Sequence, residues 1–258
     1  MDAADRRCDF PLLRIFAPMS RILLVETATE VCSVAIAVDG EVVALVEELQ
    51  APSHAALLTL QIEKCVSKSG IPLAALDAVA VSSGPGSYTS LRVGASVAKG
   101  ICYALDKPLV AVNTLLALAW ASREEPSILN SPSSTVFVPM LDARRQEVWL
   151  AVYDAELRLI AAEQPLILEN NLFENFIHQS LSGAAGKMLV VAGNGSSKLE
   201  NVPTNEHVVF SSVKKCSARH LAALAERFFQ QADFQNVAYF EPFYMKAPNI
   251  TTPSKAPF

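Results

Sequence analysis

The strongest constraint on this chain is that its two halves open in the same way. Residues 22–39 (ILLVETATEVCSVAIAVD) and 136–154 (VFVPMLDARRQEVWLAVYD) both read as strand, acid, polar turn, strand, acid. Glu26 falls where Asp142 falls, and Asp39 matches Asp154 to within one residue. Period-2 apolar runs bounded by polar turns are strands. Strand–turn–strand is a common unit, so the layout hints at duplication without proving it.

The elements between these openings complete two similar lobes. In the first, spanning 19–122, strands at 21–26, 31–38 and 41–49 form an antiparallel meander, with Asp39-Gly40 as its hairpin turn. A helix opens at Pro52-Ser53, with Ser53 as N-cap, and runs to about Lys68 before Gly70. Leu57, Leu58, Gln61, Ile62 and Cys65 fall at helical spacing along it. A strand at 78–82, a helix over 87–104, a strand at 108–112 and a helix over 114–122 follow and close the lobe. Residues 123–134 (REEPSILNSPSS) are polar and rich in Ser and Pro, which predicts a linker. The second lobe, 135–240, continues from its hairpin with a strand at 162–168, a helix over 170–181, a strand at 188–193 and a helix over 216–231. Residues 1–18 are expected to be a disordered extension, or else Met19 is the natural start. The Pro-rich 241–258 is expected to be a tail ordered only where it packs back. Two such lobes, each a mixed sheet with flanking helices, give the duplicated α/β architecture of the actin-like, Hsp70 ATPase-like (ASKHA) fold.

Composition narrows the function. Hydrophobic residues make up 51% and charged residues 18%. This excess of apolar surface calls for a large core or for a patch that a partner covers. No run of about 18 uncharged apolar residues exists to span a membrane. The net charge is −5, without the basic face expected of a protein that grips tRNA by its phosphates. Work on tRNA would therefore pass through another protein. The cysteines at 8, 32, 65, 102 and 216 include no CxxC pair and predict buried, reduced thiols in a cytoplasmic protein rather than disulfides or zinc.

Few residues are placed for chemistry. Ser83-Gly84-Pro85-Gly86-Ser87 joins a strand to a helix, and such a loop can bind an anion through backbone amides and the helix N-terminus. Gly84, Gly86 and Ser87 are then candidates for a vestigial phosphate loop. The plainer alternative is a tight turn in which the glycines supply unusual backbone angles and Ser87 caps the helix. No GK[ST] follows, so this is not a P-loop. Gly193-Asn194-Gly195-Ser196 is open to the same two readings. The histidines stand at 54, 178, 207 and 220, none three or four apart, so no paired metal ligands are expected. His54 is read as a helix-start residue on a partly exposed face, with Leu58 where a second ligand would stand. Ser87, Ser90 and Ser196 have no His/Asp partners nearby in sequence.

Residues 84–94 (GPGSYTSLRVG) resemble the GPGSFTGLR signature of the TsaB (YeaZ) family of tRNA threonylcarbamoyladenosine proteins. Val25-Glu26-Thr27-Ala28-Thr29 is similar to that family's strand-DTAT opening. Asp142-Ala143-Arg144-Arg145-Gln146-Glu147-Val148-Trp149 is similar to its DAR-x-x-E-V-Y element, and Pro242-Phe243-Tyr244-Met245-Lys246 to its P-x-Y-x-R. The resemblance covers about 20–248 and is strongest over 21–115. It implies a non-catalytic activator of TsaD, the enzyme that transfers threonylcarbamoyl to adenosine 37 of ANN-decoding tRNAs. The implied partners are TsaD, the ATPase TsaE and, when alone, a second copy; tRNA is met only through the complex, and no cofactor is implied. The two helices of the first lobe would form the contact, with His54, Leu57, Leu58, Gln61, Leu91, Gly94, Ala95 and Ala98 as candidates, over an ordinary interface of about 1,600 Å². Glu26 departs from the family's Asp, Ser90 from its Gly and Trp149 from its Tyr. In kinases of the superfamily the acid at the Glu26 position helps hold metal–nucleotide, so the change disfavours the alternative of an ATPase or kinase using Glu26, Asp142 and the 84–87 loop. The lack of a histidine pair argues against a metallopeptidase.

Overall fold

The computed structural model describes residues 19–129, 131–132, 134–169, 171–181, 186–202 and 207–245. The expectations for residues 1–18, for Cys8 and for 246–258 lie outside the described residues.

Strands β1 (Arg21–Glu26), β2 (Cys32–Val38), β3 (Glu41–Glu48), β4 (Ala78–Ser82) and β5 (Leu109–Val112) form one sheet in the order β3-β2-β1-β4-β5. Strands β6 (Val136–Asp142), β7 (Glu147–Tyr153), β8 (Leu159–Ile167), β9 (Met188–Ala192) and β10 (His207–Phe210) form the other, in the order β10-β9-β6-β7-β8. Each sheet pairs its first three strands antiparallel and its last two parallel to the first. The second sheet thus repeats the first strand for strand, and a hydrogen bond repeats with it. The Ala28 amide donates to Glu26 Oε1 (2.6 Å), as the Arg144 amide does to Asp142 Oδ1 (2.6 Å). The hairpin after β2 turns on Asp39 (φ +51°) and Gly40 (φ +80°), residues that adopt left-handed angles readily.

Both faces of each central strand are buried, so successive residues feed opposite cores. Leu23 and Val25 of β1 meet helix α1 (His54–Ser69) and helix α2 (Tyr88–Leu105) through Leu58, Ile62, Ala95 and Ala98. Ser53 caps α1 by accepting the Ala56 amide (3.3 Å), and Gly70 ends it at φ +69°.

Two helices exchange lobes. Helix α3 (Thr114–Arg123) was expected to close the first lobe, but its Leu115, Leu118 and Ala119 pack against Phe137, Leu141 and Val190 of the second sheet. The segment expected as a helix over 216–231 resolves into a short 3-10 turn (Ala218–Leu221) and helix α5 (Ala222–Gln230). Instead of completing the second lobe, both cover Ile22, Leu24 and Ala35 on the first sheet. The physical reason is that an apolar stripe specifies a buried face but not the sheet that takes it. Helix α4 (Leu172–Leu181) covers the opposite face of the second sheet through Phe173 and Ile177. The predicted linker is also held: Ile128 is buried, and Glu125 accepts the Ser212 amide (3.0 Å). Strand β10 had no counterpart among the sequence predictions. Residues 235–240 pack back beside β5 and α2, where the Gln235 amide donates to Leu109 O (2.8 Å) and Lys99 Nζ to Phe240 O (3.0 Å). Among the described residues no helix is long and apolar enough to cross a membrane.

Candidate functional site

The glycine loop after β4 is built into the chain's own backbone. The Ser83 amide donates to Val112 O (2.8 Å) and the Ser87 amide to Ala28 O (2.7 Å). The carbonyls of Ser83 and Gly84 accept from the amides of Phe243 (2.7 Å) and Thr114 (2.9 Å). Gly84 has φ +101°, and a Cβ there would lie 2.4 Å from Phe243 O; a Cβ on Gly86 would lie 2.4 Å from Ala28 O. Both glycines therefore serve close backbone approach. Ser87 occupies the N-cap position of α2, yet its hydroxyl lies 3.0 Å from Ser90 Oγ and takes no helix amide. The turn thus spends the Ser83 and Ser87 amides on internal carbonyls.

Glu26 and Asp142 stand at equivalent strand ends in unlike settings. Burial pushes the Glu26 carboxyl up to about 7, against the pull of the Ala28 amide, the Ser82 hydroxyl and the Thr27 amide. Asp142 is exposed and paired with Lys198 Nζ at 2.5 Å. Asn194 joins the lobes: its Oδ1 accepts the Asp142 amide (2.9 Å), and its Nδ2 donates to Glu30 Oε2 (3.3 Å). The second glycine loop is close-packed as well, since a Cβ on Gly193 (φ +85°) would lie 2.2 Å from Met140 O. Ser196 is buried, donates to Gly193 O (2.8 Å) and accepts from Lys214 Nζ (2.8 Å). Of the two acids that an ATPase reading requires, one is turned into the backbone and the other is held by a lysine.

His54 is buried rather than partly exposed, with Nε2 3.2 Å from Val31 O. Among the described residues no group of three or more His, Cys, Asp or Glu is placed to hold a metal. Cys32, Cys65, Cys102 and Cys216 are free and buried. Burial pushes the first three thiols up to about 11 and Cys216 well above the ordinary thiol range.

The eight residues expected at a partner contact face mostly inward. Leu58, Leu91 and Ala98 expose 0% of their surface, Ala95 4% and Gln61 5%; Gly94 is buried too. A Cβ on Gly94 would meet Thr27 Oγ1 at 2.3 Å, so this glycine admits the β1–β2 turn rather than a second protein. Leu57 alone is half-buried. Helical spacing located a close-packing stripe, and the chain's own sheet occupies it. The outward face is made by neighbours one position round. Ala55 of α1 and Tyr88, Thr89, Arg92, Val93, Ser96 and Val97 of α2 line an open groove of about 440 Å³. Arg92 Nη1 donates to Tyr88 Oη (3.1 Å) and the guanidinium lies over the Tyr88 ring, which itself packs 4.5 Å from Tyr244. Tyr103, 86% exposed, and Leu60, 50% exposed, lie on the same two helices. The signal that could have found this face was the offset of Val93 and Val97 from the Leu91–Ala95–Ala98 stripe.

Two sheets with one strand order, glycine turns at their strand ends and helices exchanged between them define a duplicated ASKHA fold. Residues 44–255 match the family described as TsaD: tRNA N6-adenosine threonylcarbamoyltransferase, and the chain belongs to that family, in its TsaB (YeaZ) branch. It is 27% identical over 230 residues to the tRNA threonylcarbamoyladenosine biosynthesis protein TsaB of Escherichia coli K12, covering 88% of this chain and 94% of that protein. A crystal structure from Pseudomonas aeruginosa, of a protein with similarity to the peptidase YeaZ, matches at 27% identity with a TM-score of 0.74, over 88% of this chain and 100% of that one. The polyphosphate/ATP-glucomannokinase of Arthrobacter matches at 11% identity and a TM-score of 0.51, over 82% of this chain and 99% of that one, which shows a shared fold.

Proposed function

We propose that this chain is a non-catalytic scaffold in tRNA threonylcarbamoyladenosine biosynthesis, and that it docks a TsaD-type partner on the outer face of α1 and α2. The observation that carries the reading is a contrast within the first lobe. The Ser83 and Ser87 amides, the Ser83 and Gly84 carbonyls and the Glu26 carboxyl are engaged internally, whereas the half-buried Val93 and Val97 and the exposed Ala55 line an open α1–α2 groove, with Tyr88 and Arg92 beside them. Aromatic and Arg side chains beside an apolar strip are the usual anchors of a protein interface. Alone, the same face pairs with a second copy, and TsaE joins through the assembled complex. Most tRNA contacts then fall to the partners, in keeping with the net charge of −5. The buried, unpaired thiols accord with a cytoplasmic setting.

The test is a reconstituted tRNA reaction with TsaD- and TsaE-type proteins, omitting one component at a time. Modification is expected to stop when this chain is left out, and modification that persists without it refutes the scaffold reading. Val97→Asp is expected to abolish co-elution with the TsaD-type protein while leaving the unfolding midpoint within a few degrees of the parent. Undisturbed co-elution would place the contact elsewhere.

A further inference from the structure

The turn between β6 and β7 holds two consecutive arginines at left-handed backbone angles. Arg144 has φ +70° and Arg145 φ +50°. Left-handed angles bring Cβ against the backbone and are ordinarily given to Gly, Asn or Asp. The chain follows that rule at Asp39-Gly40, and among the described residues no other adjacent pair of non-glycine residues breaks it. The turn is fixed as well as strained: the Ala143 amide donates to Glu147 O (3.1 Å) and the Glu147 amide to Arg144 O (3.2 Å). Both arginines are exposed, and neither guanidinium bonds or pairs with another described residue. The adjacent carboxylate does not cancel them, because Asp142 is held by Lys198 and by the Arg144 amide. Strain of this kind persists where it displays a side chain for use.

We infer that the Arg144–Arg145 turn is a contact for the RNA phosphate backbone, engaged when tRNA is bound by the assembly proposed above, on which this inference rests. Phosphate is the chemistry that two forked guanidiniums without a partner among the described residues fit, and the contact needs no base recognition. It is a local exception on an acidic protein rather than a basic face.

The experiment uses the full chain with its TsaD-type partner and an unmodified ANN-decoding tRNA, with affinity measured from 50 to 200 mM salt. Each phosphate contact contributes roughly 0.7 to 0.9 to the slope of log affinity against log salt. Arg144→Gln/Arg145→Gln is expected to flatten that slope by about 1.4 to 1.8, so that its deficit relative to the parent shrinks about tenfold across this range. The Lys/Lys variant keeps most of the slope. Arg144→Asn/Arg145→Gly, which suits the left-handed turn, is expected to raise the unfolding midpoint while weakening tRNA binding in the same way. Unchanged affinity and slope in a Gln/Gln complex that still assembles overturn this inference and leave the scaffold reading intact. Loss of partner association by Gln/Gln, with the free chain still folded, assigns the turn to an acidic protein surface and also overturns it. A parent chain that neither binds the TsaD-type protein nor affects modification overturns the scaffold reading instead.

Discussion

Glu26→Gln tests how the buried strand-end acid is accommodated. The amide oxygen of Gln can still accept from the Ala28 amide, but the side chain cannot ionise. In the parent, burial raises the carboxyl from its ordinary 4.5 to about 7. Below pH 4.5 it is protonated in both folded and unfolded chains. Between pH 4.5 and 7 the folded chain keeps a proton that the unfolded chain has lost, so stability falls as pH rises. Above pH 7 the full penalty applies: about 2.5 pH units at about 1.4 kcal/mol each, or about 3.5 kcal/mol. His220 works in the opposite direction, since burial, with help from Arg219, lowers its imidazole from 6.5 to about 4. The unfolded chain then binds the extra proton between pH 4 and 6.5, and stability rises with pH over that window. The two effects nearly cancel in the parent's own pH profile, and only the difference between variant and parent isolates Glu26. Thermal unfolding of both proteins from pH 4.5 to 8 is the assay. At about 2–4 °C per kcal/mol, Glu26→Gln should gain roughly 7–14 °C on the parent as pH rises to 8. A difference in midpoint that stays constant across this range would refute the argument that the carboxyl ionises in a desolvated site.

Gly94→Val is expected to destabilise by about 1–3 kcal/mol in urea unfolding, because its Cβ would fall 2.3 Å from Thr27 Oγ1 in a packed turn. Adding Thr27→Ala should recover part of that loss, whereas strictly additive effects would show that the two sites do not touch. Leu91→Ala should cost about 2–5 kcal/mol as a core cavity without abolishing partner binding at temperatures where the fold persists. A stable Leu91→Ala protein that fails to bind would return Leu91 to the interface.

Much of the architecture follows from local pattern alone. Ser53 and Gly70 bracket α1 as their chemistry dictates, Asp39-Gly40 forms the hairpin, and the strand–acid–turn–strand layout at 22–39 and 136–154 marks two equivalent sheets. These are decisions of backbone conformation and of hydrogen bonds a few residues apart, and the residues that make them are adjacent in the chain. Strand β10 escaped because four residues with half-exposed side chains carry too little periodicity to be read.

What the sequence could not decide is which surface each apolar stripe meets. Leu91, Gly94, Ala95 and Ala98 have the spacing of a helix that packs closely. That spacing is the same whether the neighbour is β1 and its turn or a second protein. The same ambiguity hid the exchange of α3 and α5 between lobes, and it left the strand-end acids looking alike when only Glu26 is buried. Hydrophobic burial is non-directional, so composition and period determine that a face leaves water. Only the tertiary structure determines what it lies against, and hence that Tyr88, Arg92, Val93 and Val97, and not the Leu91–Ala95–Ala98 stripe, line the open groove.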